Sequence, residues 1–145
     1  VNFTRAILVL CILLAGCDRI SGVSTDAALT TMVDYECVDQ AIRSVNGVAE
    51  VVRHEDQDKS FQISPYRGEV ISKRYLWLYG PDQTAALQLT DDGQKRSYTN
   101  GMKKLGEPWP ASRLEAFIPL MNRVNAAVEH DCGLPISING KLTRN

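Results

Sequence analysis

Apolar residues are distributed along this chain in three ways. Over residues 6–15 they are almost continuous and uncharged. Over residues 25–46 they follow a helical period: Leu29, Val33, Cys37, Ala41 and Val45 recur at every fourth position, and Val38 and Ile42 widen the stripe. Ser24 or Thr25 can cap the start of that predicted helix, Asp26 sits in its first turn, and Asn46-Gly47 stops it. A second helical stripe lies near the other end: Leu114, Phe117, Ile118, Met121, Val124 and Val128, continued by Cys132. Ser112-Arg113-Leu114-Glu115 has the form of a capping box at its start, and Gly133-Leu134-Pro135 terminates it. Pro119 interrupts the stripe, which predicts a kink or a later start to the helix.

Between the two helical stripes the pattern changes to short extended runs. Residues 48–53 predict a strand, and 54–59 a polar turn. Phe61 and Ile63 alternate with Gln62 and Ser64 in a second strand that Pro65 ends. Residues 69–79 form the strongest strand candidate, apolar on both faces from Tyr75 to Tyr79 as a central strand would be. Residues 84–90 alternate, with Ala85, Leu87 and Leu89 on one side, and Asp91-Asp92-Gly93 signals a hairpin. Residues 94–99 read as a polar edge strand, 100–110 as a loop, and 136–145 as a short strand or a loose tail. The expected fold is α+β: an antiparallel meander sheet of about four strands, with an N-terminal and a C-terminal helix packed on one face.

The first apolar run is too short to span a bilayer, which takes about 20 apolar residues. Arg5 before it and small residues after it are the parts of a secretory signal peptide. Its exit, Leu14-Ala15-Gly16-Cys17, resembles the lipobox of bacterial lipoproteins. That resemblance implies a diacylglycerol on the Cys17 sulfur, cleavage before Cys17, and acylation of the new amine by a fatty acid such as palmitate. A thiolate is the nucleophile such a transfer needs, and Ala15 and Gly16 are small enough to enter a protease site in the membrane plane. Each buried methylene contributes about 0.8 kcal/mol, so two or three acyl chains hold firmly. Asp18 resembles the signal that retains such proteins in the inner membrane of enteric bacteria. The resemblance covers residues 1–18. It implies a signal peptide at 1–16, the lipidated Cys17 and a short tether over 17–24, and one globular domain over 25–145 facing the periplasm.

Charge and cysteines narrow the function. Of 16 basic residues Arg5 leaves with the signal peptide while all 17 acids remain, so the mature chain is mildly acidic, with its charges interspersed. That is not the basic footprint of a nucleic-acid binder. Of the 4 cysteines, Cys11 leaves and Cys17 is lipidated. Cys37 and Cys132 remain, an even pair in an oxidising compartment, and predict a disulfide.

Motifs for chemistry are sparse. The polar run His54-Glu55-Asp56-Gln57-Asp58 fails as a calcium loop, because Phe61 stands where glycine is needed and Arg67 where glutamate is needed. Cys37, Cys132, His54 and His130 lack the spacing of zinc ligands. The sequence has no GxSxG and no phosphate-binding glycine loop. Glu36, Asp39, Glu69 and Glu115 could supply a carboxylate pair, yet helical acids usually serve as surface charge. No cofactor or metal is expected.

The remaining signal is aromatic. Trp109 stands between Pro108 and Pro110, which pre-position the indole at low entropic cost, and tryptophan is enriched at binding hot spots. It either meets a partner or folds back on the sheet beside Trp77. Tyr66 and Arg67, in a turn between Pro65 and Gly68, form a second partner-binding candidate. The expectation is a lipid-anchored envelope protein that binds another protein as an accessory module. The alternatives are a periplasmic inhibitor or immunity protein against a hydrolase or toxin, and an enzyme acting on envelope polymers. The sequence favours binding over catalysis.

Overall fold

The computed structural model describes residues 20–60, 70–92 and 95–145. Cys17, the expected signal peptide, Glu69, the strand expected around Phe61 and Ile63, and the candidates Tyr66 and Arg67 lie outside the described residues. The elements are β1 (Ile20–Leu29), α1 (Tyr35–Ser44), β2 (Val52–Ser60), β3 (Val70–Tyr79), β4 (Ala85–Asp91), β5 (Arg96–Leu105), α2 (Ala111–Cys132), α3 (Ile136–Asn139) and β6 (Gly140–Arg144). The strands form one sheet in the order β2-β3-β4-β5-β1-β6, with every neighbouring pair antiparallel. The class is α+β, as the pattern predicts, but the sheet has six strands rather than about four.

Beyond the four strands β2 to β5 stand β6, which falls in the tail read as a short strand or a loose end, and β1, which corrects the expected first helix. Val23, Thr25, Ala27 and Leu29 alternate toward the helices, whereas Ser24 and Asp26 point the other way. This period of two runs through a stretch whose Leu29 also matches a helical spacing with Val33. The helix begins only at Tyr35, where the Asp34 side chain caps the amides of Glu36 and Cys37 (3.0 and 3.2 Å). The described sheet includes residues 20–24, ahead of the stretch expected to open the globular domain at 25. Residues 20–24, expected as part of the tether, belong to β1. β6 adds to the far side of β1, and the Asn145 backbone exchanges two hydrogen bonds with Gly22 (3.0 and 3.1 Å).

Two further expectations change. Residues 54–59, read as a turn, lie in β2, which is an edge strand; an edge tolerates a polar run because one side of its ladder meets water. β5, read as a polar edge ending at residue 99, continues to Leu105 and lies inside the sheet, between β4 and β1. Its polar appearance comes from buried, hydrogen-bonded groups such as Asn100. Gly101 permits the close approach of β1: a Cβ there would lie 2.3 Å from the Val23 carbonyl oxygen.

α2 runs unbroken through Pro119. Both Pro119 and Glu115, whose carbonyl the proline leaves without its helical donor, lie on the exposed side of the helix. The capping box does not form. Pro110 occupies the cap position, and its carbonyl accepts from the Arg113 and Leu114 amides (3.0 and 3.3 Å). Gly133 ends the helix in the left-handed conformation, φ 67°, as expected.

Both long helices cover the same face of the sheet. Val38, Ala41 and Ile42 of α1 and Phe117, Met121, Val124 and Val128 of α2 meet Val23, Trp77, Tyr79, Leu87, Leu89, Tyr98 and Met102 in one core. Cys37 and Cys132 are disulfide-bonded (S–S 2.07 Å), joining α1 to the last turn of α2. No described helix is long and apolar enough to cross a membrane.

Candidate functional site

The register defines the opposite face. Trp77, Leu87, Asn100 and Thr25 stand in one row across β3, β4, β5 and β1 and point to the helices. The adjacent rows therefore point away from them: Leu78, Ala86, Gly101, Ser24 and Thr143, then Leu76, Gln88, Thr99, Asp26 and Lys141. Short side chains at Ala86 and Gly101, bordered by longer ones, leave a hollow of about 310 Å³ lined by Thr84, Ala86, Gln88, Thr99, Gly101 and Lys103. Its walls carry hydroxyl, amide and ammonium groups around a small apolar floor.

Asp26 stands beside this hollow. Ser24 Oγ donates to Oδ2 (2.7 Å), Thr99 Oγ1 donates to Oδ1 (2.8 Å), and Lys103 Nζ lies 3.7 Å from Oδ1. Burial alone would raise its pKa. The hydrogen bonds from Ser24 and Thr99, the charge of Lys103 and a hydrogen bond from Thr143 outweigh burial and hold the carboxyl below the usual range. Asp26 is thus a fixed anion at neutral pH, and its character is that of a recognition group rather than a proton acceptor. A lowered folded-state pKa contributes stability above the unfolded value near 3.8, and that contribution is lost as pH falls through the folded value. Asp26→Asn should therefore lower stability at pH 6 and narrow its gap to the parent below pH 4, which urea unfolding at the two pH values would measure. A gap independent of pH would contradict the assignment.

Trp109 lies at one end of the sheet. It is half-buried and packed against the core, so it has folded back, but its neighbours differ from the expected Trp77. Lys104 Nζ is 4.9 Å and Arg113 Cζ 4.2 Å from its ring centroid, and its backbone amide donates to Ser21 Oγ (3.2 Å). Its indole N–H has no hydrogen-bond partner among the described residues. Trp77 instead donates its indole N–H to Asp39 (3.0 Å).

The candidate acids are engaged elsewhere. Glu36 pairs with Arg53 (2.7 Å), which also binds Glu55 and lies over the Tyr75 ring. Asp39 pairs with Arg43 (2.8 Å), whose hydrogen bond is the main cause of its lowered pKa, with Trp77 assisting. Glu115 pairs with Arg144. His54 and His130 are exposed, and the disulfide consumes both cysteines of the conceivable zinc set. Among the described residues no group of His, Cys, Asp and Glu is placed to hold a metal.

Behind the opposite face runs a buried polar chain. Tyr79 Oη donates to Asn100 Oδ1 (2.5 Å), and Asn100 Nδ2 donates to Asn125 Oδ1 (2.8 Å). Asn125 Oδ1 also accepts from Tyr98 Oη (2.6 Å), and Asn125 Nδ2 donates to Thr25 Oγ1 (3.0 Å). Burial pushes both phenols well above their ordinary pKa, so they remain neutral donors. These links cross from β3 through β5 and α2 to β1. They fix the sheet against the helix that covers it.

Sequence reasoning missed the hollow and Asp26. The signal was present as alternation in 23–29, but the fourfold spacing that begins at Leu29 placed Asp26 in a helix. The chain matches no family model, no curated protein and no solved structure.

Proposed function

We propose that this chain is a lipid-anchored protein of the bacterial cell envelope that binds a protein partner across the helix-free face of its sheet. The observation that carries the binding site is the hollow over β4 and β5 with the fixed charge of Asp26 at its side. Backbone and short side chains there are accessible to a protruding side chain, and Thr99, Gln88 and Lys103 offer directional polar contacts. The disulfide supports export to an oxidising compartment, because such bonds are rare in reducing ones. The lipobox resemblance at Leu14-Ala15-Gly16-Cys17 supplies the anchor, with Asp18 favouring the inner membrane and a domain facing the periplasm. The pairing of Glu36, Asp39 and Glu115 with arginines favours binding over catalysis.

The same face and the disulfide between α1 and α2 also suit an inhibitor or immunity protein, which presents a rigid surface to one enzyme. The identity of the partner separates that reading from an accessory subunit.

The experiment captures the full-length chain, tagged and expressed in a bacterial envelope, from detergent extract. One stoichiometric partner should be retained, lost on Ala86→Arg, and kept on Trp109→Ala. The reverse pattern would move the site to the loop around Trp109, and no stoichiometric partner would refute the binding reading. Cys17→Ser should leave the chain unacylated and shift it from the membrane fraction. Unchanged mass and fractionation would refute the anchor.

A further inference from the structure

We infer that the end of the sheet where β1 begins and β5 ends rests on an anionic lipid surface. The inference builds on the proposed anchor at Cys17 and adds a second, non-covalent contact made by the folded domain. Ile20 and Leu105 are direct cross-strand partners at that end, and they are 51% and 68% exposed. Two large aliphatic side chains thus stand together at the last rung of a strand pair. Lys103 and Lys104 immediately precede Leu105, and Lys104 and Arg113 both lie over the Trp109 ring. Lys103 faces Asp26 (3.7 Å), Arg113 faces Asp82 (3.9 Å) and Glu107 is the acid of the connecting turn, so the cation on which the inference rests is Lys104 over the Trp109 ring.

The chemistry of this end matches a bilayer interface. Aliphatic side chains enter the headgroup boundary, tryptophan prefers that depth, and each Lys or Arg near an anionic surface contributes about 1 kcal/mol. The length of chain outside the sheet selects the occupant. Ile20 follows Cys17 by three residues, a reach of about 11 Å when fully extended. A diacylglycerol on Cys17 would hold Ile20 and Leu105 within that distance of the lipid, too close for a protein to intervene. β1 and β5 then lead away from the bilayer, and the helix-free face with its hollow is turned sideways, where a membrane-associated partner can reach it.

The test uses residues 18–145, because the whole described sheet, core and disulfide come from residues 20–145. The domain is sedimented with vesicles of phosphatidylethanolamine containing phosphatidylglycerol, and with vesicles of phosphatidylcholine alone, at low salt. The expected result is co-sedimentation with the anionic vesicles that weakens with added salt. Lys104→Glu should weaken it by at least about fivefold, and Leu105→Asp should weaken it as well. Gln88→Ala, in the hollow, should leave it unchanged. No preference for anionic vesicles, or equal binding by Leu105→Asp, would overturn the inference. The anchor is scored separately by fatty-acid labelling of the full-length chain in cells. Binding without labelling of Cys17 keeps the surface and removes the anchor; labelling without domain binding does the reverse.

Discussion

Replacing Cys37 and Cys132 together by serine should lower the unfolding free energy by about 4 to 5 kcal/mol. The disulfide closes a loop of 95 residues, and a crosslink of that span removes a large share of the conformations open to the unfolded chain. Its native-state location adds to the effect. It ties α1, which is only 10 residues long, to the end of a 22-residue helix that is itself anchored along the core. An isolated helix as short as α1 is marginal in water, so its order depends on this tie and on the burial of Val38, Ala41 and Ile42. For a domain of this size the loss corresponds to a fall in Tm of about 15 °C. Thermal and urea unfolding of the double variant would measure it, and the parent in reductant should behave alike. A loss below about 1 kcal/mol would show that the unfolded chain already keeps these segments together. Folding in a reducing environment should be compromised to the same degree.

The disulfide was legible in the sequence because cysteine pairing by elimination needs no knowledge of the fold. α2 was legible because its apolar stripe is long and its stop, Gly133, is explicit. Strands β3 and β4 were legible because apolar runs and alternation survive in isolation. β1 was not, because a strand flanked on both sides carries small and hydroxyl residues whose partners are remote: Asp26 is satisfied by Thr99, and Asn145 by Gly22. β5 was not, because Asn100 looks like a loop residue until its buried partners are known. The candidate site shared that fate. Its hollow arises where Ala86 and Gly101 stand opposite each other, and register is a property of pairing rather than of either strand alone. Trp109 announced itself through its flanking prolines, but the cations that hold it, Lys104 and Arg113, come from two different elements.

Asn100→Leu should cost about 3 kcal/mol although it preserves size and adds apolar surface to a core position. Asn100 is fully buried and is the only link through which the Tyr79 hydroxyl is hydrogen-bonded among the described residues. Leucine offers that phenol no acceptor and removes the donor to Asn125. An unsatisfied buried polar group costs about 1 to 3 kcal/mol, and the substitution leaves Tyr79 in that state. Asn125 fares better, because Tyr98 still donates to its Oδ1 and Thr25 still accepts from its Nδ2. Tyr79→Phe alone should cost about 1 kcal/mol, the loss of one net hydrogen bond with Asn100 Oδ1 left behind. The double variant, Asn100→Leu with Tyr79→Phe, should then be more stable than the sum of the single losses by about 1 kcal/mol or more, since it strips the phenol that leucine strands. Urea unfolding of the four proteins closes this cycle. Additive losses would mean that Tyr79 and Asn100 do not act through each other, and that the chain from β3 to α2 is adjacent rather than coupled. A positive coupling would identify the polar line under the sheet as what fixes α2, and with it the Lys103 and Asp26 edge of the hollow, in a single register.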